Sequence, residues 1–108
     1  MFLVQSNDII LTKGDSGRIR LKFTNKDGSE YAPNEKDKVV FTVKKKKESF
    51  SEIVMTKTGV EIVFGAKETE NVPSGEYFYD VYIEKSTMER YTAIEGRLIV
   101  RKAVHNFE

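Results

Sequence analysis

Four successive lysines, Lys44 to Lys47, are the side chains that most invite a chemical reading. A cationic run suits phosphate backbones or acidic lipid, but such binding draws on a broad positive field, with aromatics where single strands are stacked. Glu48 and Glu52 dilute the field, and 18 Lys and Arg face 17 Asp and Glu for a net charge of +1. The run reads better as a solvated hairpin tip that discourages edge pairing, so neither a nucleic-acid nor a membrane partner is expected. The carboxylates Glu68, Glu70, Asp80 and Glu84 are the other reactive set. An acid/base or glycosidase pair needs two carboxyls at fixed separation with one pKa raised by burial, and nothing in the order of residues gathers two of these in an apolar cleft. His105, the single histidine, reads as a tail residue without partner ligands for a metal.

The remaining motifs fall short in similar ways. Gly14-Asp15-Ser16-Gly17 has neither the lysine spacing nor the following helix of a phosphate loop, and is read as a turn. Asp27-Gly28 and Asp37 lack the alternating oxygen ligands and closing Glu of a calcium loop. The chain has no Cys, which excludes disulfides, thiol catalysis and Cys-ligated metals. The expectation is therefore of no catalytic residues, no cofactor and no metal: a protein that is not an enzyme.

The elements that would carry these residues are strands. With 108 residues the chain is expected to be one domain over 1–108, able to bury about two-thirds of its extended surface. Gly17 to Thr24 alternates Ile19, Leu21 and Phe23 with Arg18, Arg20 and Lys22, the period of a half-buried strand. A short run over Asp8 to Thr12 precedes it. Lys38 to Lys44 places Val39, Phe41 and Val43 inward and Val40, Thr42 and Lys44 outward. Glu52 to Thr58 and Val60 to Phe64 follow, and Gly59 between them is either a tight turn or a bulge. Ala66 to Asn71 suits one helical turn stopped by Pro73 and Gly75. Tyr77 to Glu84 puts Tyr77, Tyr79, Val81 and Ile83 on one face. Arg90 to Lys102 puts Ile94, Leu98 and Val100 on one face and Tyr91, Ala93, Glu95 and Arg97 on the other, with Gly96 as a kink. Turn signals every 8–12 residues then predict an all-β, immunoglobulin-like antiparallel β-sandwich of about seven strands.

Two features bear on fold and contact. In Val72-Pro73-Ser74-Gly75-Glu76-Tyr77, a Gly two residues before an inward Tyr fits a tyrosine corner, though an ordinary core tyrosine after a turn fits as well. If the third strand pairs with the last two, their outward face collects Val40, Thr42, Phe78, Tyr82, Tyr91 and Ala93, a candidate protein–protein surface. The alternative is that these aromatics pack on the stems of neighbouring Arg and Lys. No apolar run is long enough to span a membrane and no basic n-region opens the chain, so synthesis in the cytoplasm of the cell that makes it, without a signal peptide, is expected.

The ordered set Ile10-Leu11-Thr12-Lys13-Gly14-Asp15-Ser16, Lys26-Asp27-Gly28, Val39 to Lys45, Glu68-Thr69 and Ser74-Gly75-Glu76-Tyr77-Phe78-Tyr79-Asp80-Val81, with Thr92, Gly96 and Leu98 in a late strand, resembles small tail and baseplate proteins of phages and prophages of Gram-positive bacteria. More narrowly it is similar to the amino-terminal domain of the baseplate upper protein. The resemblance implies an immunoglobulin-like sandwich serving as a structural or adaptor part of a virion tail. Its partners would be other tail or baseplate proteins or further copies in a homo-oligomer. A carbohydrate-binding module for cell-wall glycan is the alternative, against which stand the absence of Trp and of amide and carboxylate side chains around the tyrosines.

Overall fold

Alternating apolar and polar residues build the two central strands of the molecule. A computed structural model describes residues 5–46 and 52–104, so His105 and the lysine run beyond Lys46 lie outside the described residues. The strands in chain order are β1 Gln5–Ser6, β2 Ile9–Thr12, β3 Gly17–Arg20, β4 Phe23–Thr24, β5 Glu30–Tyr31, β6 Lys38–Lys44, β7 Ile53–Thr58 and β8 Glu61–Phe64. Helix α1, Ala66–Asn71, separates these from β9, Gly75–Glu84, and β10, Arg90–Arg101. The larger sheet runs β1-β10-β9-β6-β7, with β2 also on β10. Against it stand the pair β3-β8 and the short pair β4-β5. This is an immunoglobulin-like β-sandwich. It is antiparallel throughout the described pairs except at its start, where β1 and β2 run parallel to β10.

The core follows from the alternation. Val39, Phe41 and Val43 of β6 and Tyr77, Tyr79, Val81 and Ile83 of β9 meet Ile62 and Phe64 of β8, all buried. Phe41 meets Phe64 edge-on at 6.0 Å and tilts against Tyr79 at 5.3 Å. Fully burying a phenylalanine contributes about 1.5–3 kcal/mol, so this aromatic cluster fixes how the two sheets face each other.

Two expectations about the strands need correction, and one open alternative is resolved. The stretch Gly17 to Thr24 is not one strand: it breaks at Leu21 and Lys22, where the Leu21 N–H donates to Val60 O at 2.7 Å, and Phe23–Thr24 then pairs with β5. Gly59 is a turn that carries the chain from the larger sheet (β7) to the smaller (β8). Its φ of +101° is one that side-chain-bearing residues resist, and its N–H donates to Val39 O at 3.0 Å. Gly96 is not a kink but a crossing point: a Cβ there would lie 1.9 Å from Asn7 O, because the segment between β1 and β2 presses against it. Helix α1 has the bounds read from the sequence, and its buried Thr69 ties the 13–16 turn. Thr69 Oγ1 accepts from the Gly14 N–H at 3.0 Å and donates to Asp15 O at 2.8 Å.

Candidate functional site

The outward face of β6, β9 and β10 is where the sequence placed its contact residues, and cross-strand register decides which of them stand there. Phe78 is opposite Lys44 and Arg97, Asp80 is opposite Thr42 and Glu95, and Tyr82 is opposite Val40 and Thr92. Directly paired residues share a face, so Thr42, Phe78 and Tyr82 do lie on one surface, each half-buried. Phe78 and Tyr82 are four residues apart on one strand, about 13 Å at 3.3 Å per residue, with the exposed Asp80 between them. They do not form one continuous aromatic patch.

Tyr91 is not on that face. A bulge between Thr92 and Ile94 puts one extra residue into β10, and the phase of the strand inverts across it. Tyr91 therefore pairs with the inward Ile83 and packs against the core, while Ala93, also read as outward, is 2% exposed within the core cluster. The Tyr91 hydroxyl donates to Glu89 Oε2. Val40 is on the outward side but only 4% exposed, with Thr58 of β7 on one side and Tyr82 on the other. A side chain so covered does not anchor a partner. Arg90 lies over the Tyr82 ring at 5.3 Å and bonds Glu84 at 3.1 Å, the packing of an aromatic on a basic neighbour.

What the face does present is a depression of about 480 Å³ beside Phe78, walled by Thr42, Lys44, Asp80, Glu95 and Arg97. Its charges fall in two rows, Lys44 and Arg97 on either side of Phe78 and Asp80 facing Glu95. Although Asp80 as a whole is exposed, partial desolvation on the wall of the depression raises its carboxyl pKa, Lys44 pulls it back and the facing Glu95 pushes it up again. Asp8, at the rim, is held low by the hydrogen bond from the Arg97 guanidinium, 2.8 Å away. Arg97 also reaches Glu76 at 3.4 Å. The depression thus sets the Phe78 ring within a frame of both charges.

The other carboxylates singled out in the sequence are scattered. Glu68 pairs with Lys57 at 2.9 Å, Glu84 with Arg90, and Glu70 is exposed on α1. Among the described residues no group of three or more His, Cys, Asp or Glu is placed to hold a metal, and no helix is long and apolar enough to cross a membrane. Sequence reasoning missed a second polar cluster, at the β9–β10 end of the sandwich. Lys85 sits 4.2 Å over the Tyr31 ring, and both the Tyr31 hydroxyl and Lys85 bond Asp37. The Asp37 side chain is 3% exposed, and the hydroxyl's hydrogen bond is the main cause that lowers its pKa. The residues lie in three separate segments, so no local pattern announces them.

The tyrosine corner is present: the Tyr77 hydroxyl donates to Pro73 O at 2.6 Å. No family model matches the chain, and no curated protein matches it. Among solved structures, the chain is similar to the fibronectin(III)-like modules of Clostridium thermocellum CbhA, with 14% identity over 94% of this chain and 95% of that one, at a TM-score of 0.47.

Proposed function

We propose that this sandwich is a non-enzymatic structural or adaptor component of a phage or prophage tail, acting by protein–protein contact. The contact role rests on one observation: the outward face of β6, β9 and β10 sets the half-buried Phe78 in a frame of oppositely charged side chains, with Tyr82 farther along β9 beneath Arg90. Interfaces are built in this way, with an aromatic anchor inside a polar rim that fixes orientation. The tail assignment rests on the ordered motifs from Ile10 to Leu98 that resemble baseplate proteins. Its partners would be other tail proteins or further copies of the chain in a homo-oligomer, and its place the virion tail once assembled.

Two measurements test the reading. Tail particles purified after prophage induction of the source strain should contain this chain by mass spectrometry. Its expression without incorporation would refute the tail role. Light scattering over a concentration series should show an assembly, alone or with a co-expressed tail protein, that Phe78→Ala with Tyr82→Ala abolishes. An unchanged mass would refute the face. The glycan-binding alternative gains little from the geometry, because Arg90 occupies the ring of Tyr82 on which a sugar would stack.

A further inference from the structure

The two layers of the sandwich are unequal, and the inequality leaves a strand edge without a neighbour. β3 pairs with β8 alone, and no described strand is hydrogen-bonded to its other edge. Beside it runs a groove of about 530 Å³ between the layers, lined by Ile9 and Leu11 of β2 and by Ile19 and Leu21, with the buried Phe64 and Ile94 behind them. Gly17 contributes to the room at one end: a Cβ there would meet Leu11 and Phe64 only at 3.8 Å. The opposite face of the same strand is basic. Arg18 and Arg20, with side chains 68% and 71% exposed, share the single carboxylate of Glu61 at 3.0 and 3.9 Å, and Lys22 is exposed beyond them.

The geometry points to a strand-addition site on β3 for an extended peptide whose apolar side chains alternate with acidic ones. An edge strand offers unpaired backbone donors and acceptors, which give a peptide its affinity while alternate side chains give it specificity. A strand paired with β3 has its side chains in step with those of β3. The ones beside Gly17 and Ile19 enter the apolar groove, and the ones beside Arg18 and Arg20 meet two guanidiniums that have one carboxylate between them. Charge complementarity thus selects an acidic partner over a basic one, and Phe78 is not among the residues that line the site.

The test is titration of the full chain with a capped synthetic peptide, Glu-Val-Glu-Ile-Glu-Val-Glu, followed by amide NMR. Binding should shift the amides of residues 9–11 and 17–22. Replacing the peptide's Glu by Lys, or N-methylating alternate amides to block the ladder, should weaken it at least tenfold. Arg18→Ala with Arg20→Ala should weaken it to a similar degree with little change in urea midpoint, since exposed ion pairs contribute little to stability. Lys22→Glu should weaken it independently, which guards against a double variant that folds poorly. No binding up to about 1 mM peptide, shifts confined to the Phe78 face, or indifference to N-methylation would each overturn the site.

Discussion

Replacing Gly96 by Ala should disrupt the docking of the first strands, and the size of the effect follows from three contacts. The added Cβ would stand 1.9 Å from Asn7 O, 2.8 Å from Asn7 C and 3.1 Å from Tyr79 Cε1, whereas ordinary contact begins near 3.4 Å. The nearest obstacles are backbone atoms, so the segment between β1 and β2 has to move as a unit. That movement breaks the Asn7 N–H to Glu95 O bond at 3.2 Å and the bond from the Tyr79 hydroxyl to Asn7 O at 2.5 Å. Overpacking costs about 1–3 kcal/mol and a buried hydroxyl left unpaired about as much again, so a loss of about 3–5 kcal/mol is expected. In urea, with m about 1.5 kcal/mol/M, the midpoint falls by about 2 M or more. Tyr79→Phe removes the same hydroxyl bond without the clash and should cost about 1 kcal/mol. The double variant should be less than additive, because both changes forfeit one shared bond. A Gly96→Ala protein whose midpoint moves by less than about 0.3 M, with the Asn7 and Tyr79 resonances in place, would refute the close-approach argument.

Three further outcomes are expected. Tyr77→Phe, which removes the bond to Pro73, should lower Tm by about 4–8 °C, read by calorimetry, and an unchanged Tm would mean the corner is decorative. Asp37 has a folded pKa below its ordinary 3.8, so its stabilisation is complete above that value and is lost as pH falls through the lower folded one. Asp37→Asn should therefore lower the urea midpoint at pH 6 and flatten its decline in acid; parallel curves for both proteins would contradict this. Asp80 is the opposite case, with a folded pKa above 3.8, so its ionisation costs stability at neutral pH and nothing below pH 3.8. Asp80→Asn should stabilise at pH 7 and not at pH 3, and an equal change at both would remove the electrostatic cause.

Local pattern made the central architecture readable. Lys38–Lys44 and the inward set of Tyr77, Tyr79, Val81 and Ile83 lie where their period of two puts them, and α1 runs between the same residues as its sequence signal. The contact face was less legible for a specific reason. One extra residue in β10 reverses the faces on either side of it, so Tyr91, counted outward from Leu98 by simple alternation, points inward. The adjacent apolar pair Ala93-Ile94 and the three-residue step from Tyr91 to Ile94 were the signal that alternation fails there. Val40 shows a different limit: period assigns a side, but how much of that side neighbouring strands cover depends on which strands they are. The partner of Gly96 is remote as well, since only tertiary structure brings Asn7 against it.

The parallel pairing at the start of the fold has a mechanical consequence. Gln5 lies beside Ile94 and Thr12 beside Arg101, so the path along β1 and β2 runs in the same direction as β10. A pull applied at Gln5 acts toward one pole, and a pull applied at Arg101 acts toward the other. Tension between the two points would slide these neighbours past each other along their length, loading their hydrogen bonds together in shear instead of opening them one at a time. A domain joined in series through these strands would transmit a pull with these bonds sharing the load.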